Sequence, residues 1–172
     1  MTPQEILEGR VRMVEEARSW IGTPYRVGGM VKGAGCCCGS LVLAVFQACG
    51  RALGEKFGIA SSDCWQHWKE EQYQFRLMKH AVKIAEALTR PGAASAALPG
   101  CIALVRVGSN RCYNHAGIVT EWPMVVHSVF PEVAEVNASR HPLWAYRHVA
   151  LFDPFAEKPA EMAAAAEIGA RA

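Results

Sequence analysis

Apolar residues recur at helical spacing in the first part of the chain and in short alternating runs in the last part. "TPQE", Thr2 to Glu5, is a capping box with proline at the first helical position. Leu7, Val11, Val14 and Ile21 keep helical spacing after it, and "GTP", Gly22 to Pro24, ends that predicted helix. The segment "YRVGGMVKGAG" is a glycine-rich loop. A second helix is predicted from about Cys38 to Cys49, with Leu41, Val42, Val45 and Phe46 on its apolar side and Gly50 as its stop. "SSD", Ser61 to Asp63, can cap a third helix through "CWQHWKEEQYQF", in which Trp65, Trp68 and Tyr73 fall at packing positions. From Arg76 to Arg90 neither period dominates, and "RPGAASAALPG" is a small-residue linker or loop.

Beyond that loop the period changes. "CIALVRV", "HAGIVTEW", "MVVHSVF", "EVAEVN" and "HVALFD" are short, β-branched-rich runs divided by turn residues. Helices followed by strands predict an α+β domain built on one antiparallel sheet.

The 172 residues suit one domain, placed at 1–155, with an alanine-rich tail at 156–172. A composition of 51% hydrophobic and 20% charged residues is ordinary for a globular chain, and a formal charge of +2 makes no case for nucleic acid or an anionic membrane surface. The N-terminal segment has no apolar core of signal-peptide type and no run approaches membrane-spanning length, so the chain is expected to be made and kept in the cytoplasm unless an assembly carries it out. Arg10, Arg12 and Arg18 with their neighbouring glutamates read as a solvated helix face. Seven cysteines in a chain of this size and context are read as reduced thiols, not as a disulfide framework.

Cys36, Cys37 and Cys38 stand in a row where the second helix begins. A helix N-terminus stabilises a thiolate through its partial positive charge and free N–H groups, and Cys38 is the one placed there. Gly39 beside it has no side chain, so a substrate can approach. A nucleophile needs a base, and a base needs an orienting partner. If Glu121 to Pro123 connect two antiparallel strands, His127 falls opposite Gly117 and one diagonal step from His115, about 7–8 Å between backbones. A one-residue slip would put the two histidines on opposite faces. A competing reading takes "CWQH" at Cys64 to His67 and "CYNH" at Cys112 to His115 as two C-x-x-H pairs supplying four zinc ligands.

"WIGTPYRVGG", a helix-opening cysteine followed by "LV" three residues on, "LPGCIAL", "HAGIV" and "VVHS" occur here in that order. Together they resemble the NlpC-type bacterial cysteine peptidases over roughly Arg12 to Pro154. The resemblance implies a papain-like fold that hydrolyses amide bonds in peptidoglycan stem peptides without a cofactor. By position it assigns Cys38 as nucleophile, His115 as base and His127 as orienter, and it puts Tyr25, Cys37 and Gly39 at the substrate. The look of the chain is nearest to stand-alone peptidases of phage tails and related particles, which implies tail proteins as partners. Cys37 and Cys101 stand where the family has aspartates, and Ser40 where glycine is usual. A non-catalytic tail component keeping the same fold is the alternative that these departures leave open.

Overall fold

A computed structural model describes residues 1–50, 81–90, 96–108 and 113–156. The predicted third helix, with Cys64 and His67, and all of the alanine-rich tail after Ala156 lie outside the described residues.

Helix α1 spans Pro3–Arg18 and begins on the predicted capping box. Thr2 N–H donates to Glu5 Oε2 at 2.7 Å, and Glu5 N–H donates to Thr2 Oγ1 at 3.2 Å. The face that α1 buries is not the one its large apolar residues predict. Gly9, Met13 and Ala17 are buried, as is Trp20 beyond the helix end, whereas Leu7, Val11 and Ile21 are 57%, 47% and 47% exposed. Small residues decide this, because they let another segment come close. A Cβ added to Gly9 would collide with the Phe155 ring, which crosses the helix there.

The arginines also divide. Arg10 is no part of a solvated face: its guanidinium donates to Asp153 at 2.7 Å and to the Pro99 carbonyl at 3.0 Å, and lies 4.8 Å from the centre of the Phe155 ring. Arg18 stays at the surface and grips Glu135 with two nitrogens. Replacing Arg10 by alanine would leave the buried Asp153 carboxylate without its cation, a defect worth about 3 kcal/mol. Urea unfolding should show that loss. A change near zero would mean that solvent, not Arg10, satisfies Asp153.

After α1, two short strands, β1 (Met30–Val31) and β2 (Gly35–Cys36), close the glycine-rich loop into a ribbon. Helix α2 follows at Cys38–Ala48. Strands β3 (Val82–Leu88), β4 (Ile102–Val105), β5 (His115–Glu121), β6 (Met124–Val129), β7 (Glu132–Asn137) and β8 (His148–Asp153) form one antiparallel sheet in the order β3-β8-β4-β5-β6-β7. The five strand runs legible in the sequence are β4 to β8.

The sheet is buried from both sides near its middle. Leu41, Val45 and Phe46 of α2 pack with Ile102, Leu104, Ala116, Ile118 and Phe152 on one face. Cys101, Ala103, Val119, Leu151 and Trp144 fill the other. This explains why β4 reads as an unbroken apolar run. Strand β3 pairs only with β8 and keeps Lys83 and Glu86 exposed, with a bulge between Lys83 and Ala85. Such polar interruptions suit a sheet edge and hide the strand period from a sequence reading. The architecture is α+β, helices on a six-stranded antiparallel sheet. Among the described residues, no helix is long and apolar enough to cross a membrane.

Candidate active site

The cysteine row is split by the fold into three different environments. Cys36 ends β2, fully buried, and its carbonyl accepts from the Ser128 hydroxyl at 2.9 Å. Burial pushes its thiol up to about 11. Cys37 is the N-cap of α2, with extended backbone and its N–H donating to Ser40 Oγ at 2.8 Å. The same Ser40 hydroxyl donates to the Gly29 carbonyl at 2.5 Å, tying the glycine loop to the helix start. A glycine at position 40 would lack this tie. Cys38 is the first residue of α2, where free N–H groups and the helix dipole converge.

The histidine register is the one that the sequence spacing predicts, although the connection is built differently. His127 pairs with Gly117 across β5 and β6. The turn holds only Trp122 and Pro123, since Glu121 already pairs with Met124, and Thr120 is the extra residue of a bulge. The expected three-residue connection is therefore corrected to a two-residue turn plus a bulge, which leaves the same register beyond it. Gly117 is needed for what packs there: a Cβ would stand 3.1 Å from Trp144 Cζ2 and collide with Val125.

His115 and His127 meet edge to face, ring centres 5.1 Å apart, with His115 Nε2 2.8 Å from His127 Nδ1. Trp144 Nε1, which can only donate, lies 3.3 Å from that same His127 Nδ1. A nitrogen that accepts from Trp144 carries no proton, so the hydrogen between the histidines belongs to His115 Nε2. The neutral His115 ring then holds its lone pair on Nδ1, the atom left to take a proton. Burial, then the neighbouring His127 and His141, lower the His115 pKa to about 3. Burial and His141 lower that of His127 to about 4. Both rings are held neutral at ordinary pH, the form in which an imidazole accepts a proton.

Cys38, His115 and Tyr25 line one cleft of about 270 Å³. Its other walls are Val107 and Asn114 from the β4–β5 connection, Ser128, Val129 and Phe130 from the end of β6, and Leu143. Tyr25 is held beside this end of β6, its N–H donating to the Pro131 carbonyl at 2.8 Å. His127 stands behind His115, fully buried. Cys37 and Gly39, placed at the substrate by resemblance, are not among the residues lining this cleft. Cys101 does not line the cleft; it is fully buried, and burial first and then the Asp153 charge raise its thiol pKa, against the lowering effect of Arg10.

Three participants escape a sequence reading. Trp144 orients His127, as described. His141 lies edge-on to His127 with ring centres 5.0 Å apart. Asn114 fixes the backbone entering His115, with Val107 N–H donating to its Oδ1 at 2.7 Å and its Nδ2 donating to the Val107 carbonyl at 2.9 Å. The only sequence signals for these are a histidine and a tryptophan in "RHPLW" and an asparagine next to His115. Of the two C-x-x-H pairs, Cys64, His67 and Cys112 lie outside the described residues. Among the described residues, no group of three or more histidine, cysteine or acidic side chains is arranged to hold a metal ion.

No protein-family model matches the chain, and no curated protein matches it in sequence. Solved structures do match in shape. The NlpC/p60 domain of peptidoglycan hydrolase SagA has a TM-score of 0.54 at 22% identity, covering 83% of this chain and 97% of that one. NlpC1 from Trichomonas vaginalis has a TM-score of 0.57 at 16% identity over 88% of this chain, which spans 45% of the length of NlpC1. A cysteine-opened helix packed on this antiparallel sheet, with those two likenesses, gives the chain the papain-like fold of the NlpC/p60 domains.

Proposed function

We propose that the chain is a cysteine peptidase that hydrolyses amide bonds in peptidoglycan stem peptides, with Cys38, His115 and His127 as its catalytic set. The observation that carries this reading is that His115, backed by His127 at 2.8 Å, lines one cleft with Cys38. The match in shape to a peptidoglycan hydrolase supports the substrate class.

In this mechanism His115 Nδ1 takes the Cys38 proton as the sulfur attacks the amide carbonyl. The carbonyl oxygen becomes an oxyanion, held by N–H groups at the start of α2 and by the Tyr25 hydroxyl. Collapse gives an acyl-enzyme as His115 returns the proton to the leaving amine. His115 then deprotonates a water that attacks the thioester, releasing the acid and restoring the thiol. His127 accepts the His115 Nε2 hydrogen throughout and keeps the ring in the useful tautomer. A setting in a phage tail or related particle, with tail proteins as partners, is part of the proposal and rests on the sequence resemblance.

Digestion of purified bacterial wall peptides, read by mass spectrometry, tests the reading. New stem fragments are expected with the native chain and none with Cys38→Ser. Absence of fragments from a folded native chain would favour the non-catalytic tail component instead.

A further inference from the structure

Strand β6 sends two neighbouring side chains towards the two halves of the site. His127 and Ser128 are successive residues of that strand, so they point to opposite faces. His127 meets His115, and Ser128, 1% exposed, meets Cys36, two residues ahead of Cys38. The Ser128 hydroxyl donates to the Cys36 carbonyl at 2.9 Å, and the Cys36 thiol, 3.6 Å away, donates back to the same oxygen. One buried hydroxyl thus uses its hydrogen and a lone pair on a single residue.

Other anchors of the site converge on Cys36 too. Its N–H donates to the Pro24 carbonyl at 3.1 Å, and its carbonyl accepts from Arg26 N–H at 2.9 Å as well as from Ser128. Tyr25, between those two residues, donates to the Pro131 carbonyl at 2.8 Å, just past the end of β6. These bonds make a closed circuit from β6 through Cys36 and Tyr25 and back to the β6–β7 turn, with Ser128 as its direct link. Removing the hydroxyl leaves the Cys36 carbonyl its Arg26 partner, so no buried backbone group is orphaned and the fold should survive. What goes is the tie between the segment entering Cys38 and the histidine strand. Reacting groups displaced by about 1 Å can lose about 10²-fold in rate.

We infer that Ser128 is a positioning residue, whose hydroxyl, bound to Cys36, sets the distance between Cys38 and His115. Its effect on turnover rests on the hydrolase reading, but the approach of thiol to imidazole can be read without turnover.

Two measurements on the full-length chain, made well below each variant's melting temperature, separate the claims. The first is the rate at which iodoacetamide alkylates Cys38 at neutral pH, read by peptide mapping. His115 assists that reaction by taking the thiol proton, so the rate follows their separation. Ser128→Ala should slow it about tenfold, while Ser128→Thr, which keeps the hydroxyl and suits a strand, should stay within about threefold of the native chain. The melting temperature of Ser128→Ala should fall by only about 3 °C, so unfolding does not account for the loss. The second measurement is hydrolysis of a wall peptide. There Ser128→Ala should lower kcat about tenfold to 10²-fold with KM within about threefold, the mark of misplaced reacting groups and not of weaker binding. If the alkylation order appears while the native chain hydrolyses nothing, the hydrolase reading falls and the positioning role stands. Alkylation indifferent to Ser128→Ala, equal losses in folded Ser128→Ala and Ser128→Thr, or a loss confined to KM would overturn that role. Ser128→Ala alone decides the matter if the extra methyl of threonine is not accommodated.

Discussion

His115→Ala is expected to lower kcat/KM on a cleavable wall peptide by about 10²- to 10⁴-fold, the usual worth of a positioned general base. The loss should follow from the lone pair on Nδ1, not from the fold, so thermal unfolding of the variant should remain cooperative. His127 should behave differently in its two natural replacements. Its Nδ1 accepts from both His115 and Trp144. Asparagine can offer an acceptor oxygen at that place, and alanine cannot. His127→Asn should therefore keep activity within about tenfold of the native chain, while His127→Ala should lose about 10²-fold or more, because the His115 ring is then free to turn and change tautomer. Equal losses in the two variants would show that His127 does more than accept one hydrogen. Little loss in His115→Ala would remove the base from the mechanism altogether.

Acid should destabilise this fold well before its carboxylates protonate. His115 is 9% exposed and His127 is fully buried, and their pKa values fall to about 3 and about 4. In the unfolded chain both return to the ordinary value of about 6.5. The unfolded state therefore binds more protons between those limits, so stability is fully present above about pH 6.5 and is lost as pH falls towards the folded-state values. From pH 7 to pH 5 each ring should remove about 2 kcal/mol, together on the order of 10 °C in melting temperature. Glu16, Glu86 and Glu135 have lowered pKa values, so their contribution is lost only at lower pH. A melting series from pH 7 to pH 5 isolates the histidines. In His127→Asn the slope should fall by about half, since one of the two titrating rings is gone. A flat melting temperature over this interval would mean that the pair is open to water and charges freely.

Local signals were enough for much of the architecture. Thr2 and Glu5 cap α1 by contacts three residues apart, and β4 to β8 carry their period in their own side chains. The spacing between His115 and His127 also carried their register, because alternation leaves few ways to pair two short runs joined by a tight turn. Chain order alone brought Cys38 to the start of α2.

Other features depend on partners distant in the chain. The apolar stripe of α1 pointed to Leu7 and Val11, but burial went to Gly9, Met13 and Ala17, and at Gly9 it is Phe155, from the far end of the sequence, that comes in. Hydrophobic spacing gives small residues little weight, whereas close packing gives them a great deal. Arg10 looked solvated until Asp153, 143 positions away, was folded against it. Trp144 and His141 carry no local mark of their contact with His127, since a loop, not a strand period, places them there. The sequence by itself determined α1, α2 and β4 to β8, their order along the chain and the face shared by the two histidines, all of which follow from short-range periodicity. Only the tertiary structure decided which thiol faces the cleft and which hydrogen the histidines share, because each of those depends on groups that meet only when the chain is folded.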